Sequence, residues 1–279
     1  MTTRRLPPEF GERVRQIASG ELAVAPARDA STVALLREAD GGPEVYLLRR
    51  VKGMAFAGGM HVFPGGSVDP ADATADIAWA GPAPAVWAEA LACDEPLARA
   101  LVCAAVRETF EESGVLLAGP DAGEVLADVS TDEWEAERAA LEAREHAMSE
   151  LLARRSLVLR SDLLRPLAHW ITPEVEAKRF DTRFFLARMP HGQVCREVGS
   201  EADERLWLRP TDALRSANRP GGTNLMPPTA AVLEDLAAHP DIDSALAATR
   251  VLRTVLPTAR IADDGSVELV VQSAPDDPA

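Results

Sequence analysis

The stretch "RETFEESG", residues 107–114, crowds one arginine and three glutamates into eight residues. On a helix, Glu108, Glu111 and Glu112 occupy positions i, i+3 and i+4, so their carboxylates lie on one face. Like charges at that spacing cost about 0.2–0.5 kcal/mol per pair. A hard divalent cation removes that cost, because carboxylate oxygens are the ligands that Mg²⁺ prefers, and Arg107 can orient one carboxylate through a bidentate bond. The pattern predicts a metal site, with a solvated acidic helix end as the alternative.

The flanking residues predict a helix from about Pro96 to Ser113. Asp94 suits the N-cap, Pro96 the first turn, and Gly114 the position just after the last turn. The apolar residues of this segment repeat every fourth position, as a buried stripe requires. They are Val102, Val106 and Phe110. The carboxylates therefore lie mostly on a different face from the one that packs into the core.

Upstream, residues 63–72 read "FPGGSVDPAD" and are rich in turn-forming residues. Gly65 and Gly66 allow backbone conformations closed to other residues, and a chain without side chains can approach a metal ion or a phosphate closely. Taken alone, the Pro-Gly-Gly sequence favours a simple turn. Its meaning depends on whether this loop meets the helix that carries residues 107–114.

The two stretches together resemble the Nudix box, G-x5-E-x7-R-E-U-x-E-E-x-G-U, where U is an aliphatic residue. The second half of the box matches at Arg107, Glu108, Glu111, Glu112, Gly114 and Val115. Asp72 stands in place of a glutamate, Thr109 in place of an aliphatic residue, and 34 residues rather than seven separate Asp72 from Arg107. A surface insertion of that size costs little conformational entropy, so we expect the loop and the helix to converge.

Further stretches are similar to the branch of that family that includes the mammalian peroxisomal coenzyme A diphosphatases. They read "LLRRVKGMAFAGGMHVFPGG", "HWITPEVEAKRFDTRFFLA" and "LMPPT", and the resemblance covers about residues 31–230. It implies the Nudix fold, of the α/β (α+β) class. In that fold a mixed β-sheet lies between helices in an αβα layered sandwich, here with helical insertions.

The resemblance also implies roles for individual residues of the box. The Gly65 carbonyl would hold Mg²⁺ or Mn²⁺ together with three carboxylates, those of Glu108, Glu111 and Glu112. Glu111 is in addition a candidate catalytic residue. Arg107 would orient the carboxylates rather than contact the substrate.

The resemblance also implies a further carboxylate, several residues ahead of a tryptophan-bearing strand. The stretch "SEADERLWL" offers Glu201 and Glu204 ahead of Trp207. Either glutamate could bind a metal ion or act as the general base, and we favour Glu201. The alternative interpretation is a charged loop without a catalytic role.

Substrate contacts are predicted from cations near the ends of strands and from the backbone of Gly66. The cations are Arg49, Arg50, Lys52, Arg179 and Arg183. Trp79 and Trp87 could stack on a nucleobase or anchor an inserted loop in the core. His61 could face the substrate, but a packed or hydrogen-bonded histidine is the favoured interpretation.

The stretches "STVALLRE" and "EVYLLRRV" predict a hairpin around "ADGGP", and "ARIADDGSVELVV" predicts a closing hairpin around Asp-Gly. Strand and helix patterns alternate along the chain without a repeat or a long linker, which favours one layered domain. We expect a peripheral segment at residues 1–30 with a helix at Phe10–Ile17, and a single Nudix domain over 31–272. Insertions are expected at about 73–95 and 118–160, the second holding one helix from about Thr131 to Arg155 with a capping box at Ser130 and Glu133. Residues 273–279 are expected to form a disordered tail.

The composition limits the possible partners. A net charge of −15 disfavours nucleic acid as a partner. The three cysteines show no metal-binding spacing, which is typical of a reduced, cytoplasmic protein. No apolar run approaches the length of a membrane span, and a homodimer is a possible assembly.

The predicted activity is metal-assisted hydrolysis of a diphosphate within a small nucleotide-type substrate. The resemblance implies coenzyme A or an acyl-CoA, which would be cleaved to 3′,5′-ADP and 4′-phosphopantetheine or its acyl form. ADP-ribose, NADH and nucleotide sugars remain open. A catalytically silent Nudix module that only binds a nucleotide is the alternative from another class.

Overall fold

The computed structural model describes residues 2–54, 56–74, 76–196, 202–217 and 219–271. Glu201 and the predicted tail at 273–279 lie outside these residues. The chain forms two compact units. The first comprises Met1–Asp29, His169–Thr182 and Arg253–Ala279, and the second comprises Ala30–Ala168 and Arg183–Leu252. The peripheral segment at residues 1–30 and the single domain over 31–272 stay predictions.

The secondary structure mixes short strands with helices, so the predicted α+β class is confirmed. In chain order the strands are β1 Thr2–Leu6, β2 Ala27–Arg37, β3 Glu44–Arg50, β4 His61–Val62, β5 Gly65–Ser67, β6 Trp79–Ala80, β7 Ala118–Gly119, β8 Val158–Arg160, β9 Leu164–Ile171, β10 Arg179–Arg188, β11 Ala202–Leu208, β12 Thr254–Val255, β13 Thr258–Ile261 and β14 Val267–Val271. The helices are α1 Phe10–Ala18, α2 Pro70–Thr74, α3 Pro84–Leu91, α4 Glu95–Ser113, α5 Asp132–Glu142, α6 Met148–Arg154, α7 Pro210–Ser216, α8 Pro227–Ala237 and α9 Ile242–Ala247, with a 3₁₀ turn at Ser161–Leu163.

The largest sheet includes the strand order β11-β3-β2-β10-β9. Strands β2 and β3 form the predicted hairpin, with Leu36 opposite Val45. Two short strands join them: β4 pairs with β3, and β5 pairs with β2, which places Gly65 opposite Thr32. The Pro-Gly-Gly loop is therefore held as a short strand at the sheet rather than as a free turn.

Helix α4 carries the "RETFEESG" stretch, and both of its ends are formed by the residues that the sequence predicts. The Asp94 side chain accepts a hydrogen bond of 2.9 Å from the Leu97 N–H at the first turn. Gly114 follows the last turn with a φ of 73°, a left-handed conformation that glycine adopts without strain. The predicted apolar stripe is fully buried at Val102, Val106 and Phe110.

The first insertion contains β6 and α3, and it is anchored by Trp87. That side chain is 3% exposed and meets Phe185 edge to face, with 5.8 Å between the ring centroids. This agrees with the core-anchoring interpretation of Trp87. Trp79 is half-buried and its indole N–H donates to the Pro82 carbonyl. Strand β6 pairs in parallel with β8 of the second insertion, so the two inserted segments pair with each other.

The prediction of one helix from Thr131 to Arg155 is wrong. The segment forms two helices, α5 and α6, separated at Arg144, whose φ is 59°. A left-handed residue closes α5, and the Glu145 N–H bonds back to the Ala140 carbonyl at 2.9 Å. Because an arginine fills a position where glycine is usual, the sequence carries little signal for this break. The predicted capping box is also wrong, since the N-cap is Thr131 and makes no side-chain cap bond.

The first unit contains a three-stranded antiparallel sheet of order β1-β14-β13. Strands β13 and β14 form the predicted closing hairpin, and α1 covers the predicted Phe10–Ile17 segment. Strand β1 is missing from the sequence-based description, which treated residues 1–30 as peripheral. It pairs with β14 in full register, with Thr2 opposite Val271 and Leu6 opposite Val267. Within the described ranges, no helix is long and apolar enough to cross a membrane.

Candidate active site

Asp72 and Arg107 are in direct contact despite the 34 residues between them. Asp72 lies on α2 and is 2% exposed. Arg107 donates from Nη2 to Asp72 Oδ2 at 2.9 Å and from Nε to both carboxylate oxygens at 3.2 Å. The first half of the Nudix-like pattern therefore meets the second half through a buried ion pair. The expected convergence of loop and helix is thus seen at these two residues.

The same guanidinium holds two glutamates of α4. Arg107 Nη1 donates to Glu108 Oε1 at 2.7 Å and to Glu111 Oε1 at 3.3 Å, while Nη2 also donates to the Ser67 carbonyl at 3.0 Å. Burial opposes the charge of Arg107, but the surrounding carboxylates outweigh it and raise its pKa, so the guanidinium stays protonated. These contacts are those that an orienting role for Arg107 requires.

The glycine loop approaches the helix too closely to carry side chains. The Gly65 N–H donates to Glu112 Oε2 at 2.9 Å. A Cβ on Gly66 would lie 2.6 Å from the carboxylate atoms of Glu108, and one on Gly65 would lie 2.4 Å from the Ser31 carbonyl oxygen. Neither glycine has a positive φ. The glycines are required by space, and the expectation of a special backbone conformation is wrong here.

The cluster carries more negative charge than Arg107 neutralises. The side chains of Glu108 and Glu111 are only 12% and 14% exposed. Burial, followed by the charge of Glu108, raises the pKa of Glu111 to about 7, against the opposing effect of Arg107. Crowded and largely buried carboxylates are the donor set that a hard divalent cation fits.

The carboxylates are nevertheless not arranged as a finished cation site. Among the residues that the structure describes, no three His, Cys, Asp or Glu side chains are placed to hold a metal ion together. The oxygens of Glu108 and Glu111 bond to Arg107, and an oxygen of Glu112 bonds to the Gly65 amide. Cation binding therefore requires these side chains to exchange partners.

A second charged cluster lies across β11, β3 and β4, around Arg49. Arg49 Nη1 is 2.7 Å from Glu204 Oε2, and its Nε donates to Asp203 Oδ1 at 2.7 Å. His61 is 1% exposed, and its Nε2 lies 3.6 Å from Glu204 Oε2. The Nδ1 of His61 accepts from the Asn224 N–H at 3.0 Å, and burial lowers the pKa of His61. His61 is thus packed and hydrogen-bonded, as favoured from the sequence.

The remaining predicted substrate contacts differ in exposure. Lys52 is exposed, Arg50 is half-buried and Arg183 is buried. Arg179 belongs to the first unit and donates to the carbonyls of Thr172 and Ala25 at 3.0 and 2.7 Å. The guanidinium of Arg179 is directed at backbone oxygens. Glu201 lies outside the described residues.

Sequence reasoning missed Cys103 as part of the cluster. Its thiol donates to Asp72 Oδ1 at 3.3 Å, and burial raises the pKa of Cys103 well above its usual value. Cys103 stands one turn before Arg107 on the same helix face, which is the signal that could have found it. Asp72 is one methylene shorter than the glutamate of the Nudix pattern. The thiol of Cys103 gives its carboxylate one more hydrogen bond beside Arg107.

Comparison with known proteins agrees with this geometry. The sequence model of the NUDT19 Nudix domain matches residues 90–233. The acyl-coenzyme A diphosphatase NUDT19 of Gallus gallus is 28% identical over 243 residues, which cover 67% of this chain and 62% of that protein. The chain therefore spans less than two thirds of the length of that relative. The crystal structure of a Nudix hydrolase from Alicyclobacillus acidocaldarius is 32% identical, with a TM-score of 0.71, and covers 82% of this chain and 99% of that one.

Proposed function

Because the chain belongs to the Nudix hydrolase family, we propose that it hydrolyses the diphosphate bond of coenzyme A or an acyl-CoA. The products would be 3′,5′-ADP and 4′-phosphopantetheine or its acyl form. The observation that carries the proposal is the buried cluster in which Arg107 gathers Asp72, Glu108 and Glu111 beside the glycine loop. The chicken relative, which is called an acyl-coenzyme A diphosphatase, supports the choice of substrate.

A divalent cation, Mg²⁺ or Mn²⁺, would be held by the Gly65 carbonyl and by Glu108, Glu111 and Glu112. When bound, such a cation lowers the pKa of a water molecule and neutralises phosphate oxygens. Arg107, itself held by Asp72, keeps two of the carboxylates close together. The absence of a side chain at Gly66 leaves room for the Glu108 carboxylate.

The proton of the attacking water would pass to a carboxylate near the substrate. Glu204 is 37% exposed and is oriented by Arg49, so it is open to solvent and fixed in direction. Glu201 and Glu111 are the other candidates for this role. Lys52, Arg49, Arg50 and Arg183, with the Gly66 backbone, are proposed to contact the substrate phosphates.

A substrate panel tests the proposal. The protein is incubated with Mg²⁺ and, separately, with CoA, an acyl-CoA, ADP-ribose, NADH and a nucleotide sugar, and the products are identified by mass spectrometry. We expect 3′,5′-ADP from CoA or acyl-CoA at the highest kcat/KM. Rapid turnover of ADP-ribose without turnover of either CoA compound would contradict the choice of substrate. Binding without turnover of any compound would favour the silent nucleotide-binding module. A cytoplasmic location and a homodimer stay predictions from the sequence.

A further inference from the structure

The last turn of α4 depends on donors from outside the helix. The final four carbonyls of an α-helix have no partner within it and must be satisfied elsewhere. The Glu111 carbonyl accepts from Arg138 Nη1 at 2.9 Å, and the Ser113 carbonyl accepts from the Arg196 N–H at 2.9 Å. The first of these donors lies on α5, within the second insertion. The insertion therefore caps the end of the helix that bears the site glutamates.

Arg138 is held in one orientation by two acids of its own helix. Its Nη2 bonds to Glu135 Oε1 at 2.7 Å and its Nη1 to Glu142 Oε2 at 2.7 Å. The side chain of Arg138 is 5% exposed. Burial opposes its charge, but the bonds to Glu135 and Glu142 prevail and raise the pKa of Arg138. A permanent cation thus sits at the C-terminal end of α4, where the helix dipole favours it.

One more contact attaches α5 to the same turn of α4, and another joins α5 to the residue that caps it. Trp134 meets Phe110 edge to face, with 6.2 Å between the ring centroids. Glu135 also bonds to Arg196 Nη1 at 2.9 Å, which joins Arg138 to the second capping residue. Helix α5 is therefore docked on the last turn of α4 through aromatic and charged groups. This face of α5 therefore packs against α4 rather than facing solvent.

The hydrogen bond from Arg138 to the Glu111 carbonyl holds the peptide group that links Glu111 to Glu112. The Glu111 carbonyl and the Glu112 N–H belong to one planar peptide group. Fixing that oxygen fixes the plane between two of the proposed metal ligands. Glu112 in turn reaches the Gly65 amide, and Glu111 reaches Arg107.

We propose that Arg138 is a positioning residue, which directs the carboxylates of Glu111 and Glu112 toward the site by holding the peptide group between them. This inference rests on the proposed function, because it assumes that these carboxylates bind a divalent cation. Residues that orient metal ligands typically change metal affinity about 10–100-fold when they are replaced.

The test compares Arg138→Met and Arg138→Lys with a matched control, Arg160→Met. Arg160 is also a buried arginine of the second insertion that donates to a backbone carbonyl, that of Glu124 at 2.6 Å, and pairs with an acid, Asp162 at 2.7 Å. Mn²⁺ affinity of the substrate-free protein is measured by electron paramagnetic resonance, and kcat, KM and the melting temperature are measured in parallel.

We expect Arg138→Met to raise the Mn²⁺ Kd at least about tenfold and to lower kcat more than it raises KM. Arg138→Lys keeps the charge but replaces the planar guanidinium by a single ammonium group, so its Kd should fall between those of the wild type and Arg138→Met. Arg160→Met should lower the melting temperature but leave the Mn²⁺ Kd unchanged. If Arg138→Met does not fold, the Kd of Arg138→Lys decides.

The outcomes separate this inference from the proposed function. A wild-type protein that neither binds Mn²⁺ nor hydrolyses any substrate removes the proposed function itself. A wild-type protein that binds Mn²⁺, with an unchanged Kd in the Arg138 variants, overturns only the role of Arg138. An equal rise of Kd in Arg160→Met also overturns it, because the effect would then be a general loosening of the insertion.

Discussion

Two arginines of the second unit, Arg107 and Arg49, gather acidic side chains at nearly the same distances and yet in different surroundings. The shortest contact is 2.7 Å in each cluster. Around Arg107 the exposed fractions are 10% for the arginine and 2% for Asp72, whereas Arg49 and Glu204 are 33% and 37% exposed. Distance does not distinguish the clusters, but burial does.

Burial determines what each cluster can do. Charge interactions are weakly screened in the interior and strongly screened at the surface. The excess of carboxylates around Arg107 is therefore an unfavourable arrangement that a divalent cation can correct. The Arg49 cluster is open to water, so its charges need no cation to balance them. We expect Arg49 to orient Glu204 and to contact the substrate rather than to stabilise the fold.

The largest effect is expected from the carboxylates themselves. Replacing Glu111 and Glu112 together by glutamine keeps their shape and removes two proposed ligands. We expect kcat/KM for the substrate identified by the panel to fall roughly 10³-fold, since a metal ion supplies several kcal/mol of transition-state stabilisation. Steady-state kinetics measures this, with circular dichroism as the check on folding. Unchanged metal-dependent hydrolysis would show that the ligands have been assigned to the wrong residues.

Asp72→Asn tests the buried ion pair through stability. It removes the most deeply buried of the three carboxylates that pair with Arg107. Because Glu108 and Glu111 still compensate the guanidinium, the cost should fall below the roughly 3–5 kcal/mol of a buried charge left without a partner. Urea unfolding should show a clear fall in the midpoint. Asp203→Asn, which removes a partner of Arg49 at the exposed cluster, is the matched control and should leave the midpoint almost unchanged. Equal shifts in the two variants would contradict the distinction drawn from burial.

Gly66→Ala tests the close approach of loop and helix. The added Cβ would lie 2.6 Å from the Glu108 carboxylate, so that side chain must move. We expect a loss of activity of about tenfold or more with the fold retained, because small misplacements of catalytic groups are costly. Gly53→Ala is the control, since a Cβ there meets nothing within 4 Å. Full activity of Gly66→Ala would show that Glu108 need not occupy its present position.

Arg49→Met should produce the smallest change. The melting temperature should hold, because the cluster is exposed to solvent. If Arg49 contacts a substrate phosphate, KM should rise while kcat changes little. A large fall in the melting temperature would show that Arg49 stabilises the fold as Arg107 does, which would contradict the distinction between the two clusters.

Local signals in the sequence were sufficient for α4 and the hairpins. Asp94, Gly114 and the buried stripe predicted the bounds of α4 to within one residue, because caps and periodicity are set by neighbouring residues. The arginine and the glutamates of the Arg107 cluster were also predictable from the Nudix-like pattern, whereas Cys103 was missed. The identity of the cluster as a buried ion pair with Asp72 follows from the fold, since 34 residues intervene.

Other features of the fold depend on contacts between distant residues, which no local sequence pattern predicts. The break at Arg144 uses a left-handed arginine, and the Arg138–Glu111 bond joins residues 27 positions apart. Strand β1 forms only because β14, near the other end of the described chain, pairs with it. Each of these requires knowledge of which segments meet in space.

The metal requirement of hydrolysis is the most direct test of the central claim that the loop and the helix together form one divalent-cation site. The protein is stripped with EDTA, dialysed, and assayed with acyl-CoA while Mg²⁺ or Mn²⁺ is titrated back. The account predicts no 3′,5′-ADP before a divalent cation is added, and saturable recovery of its formation afterwards. Formation of 3′,5′-ADP at an undiminished rate in EDTA would contradict it.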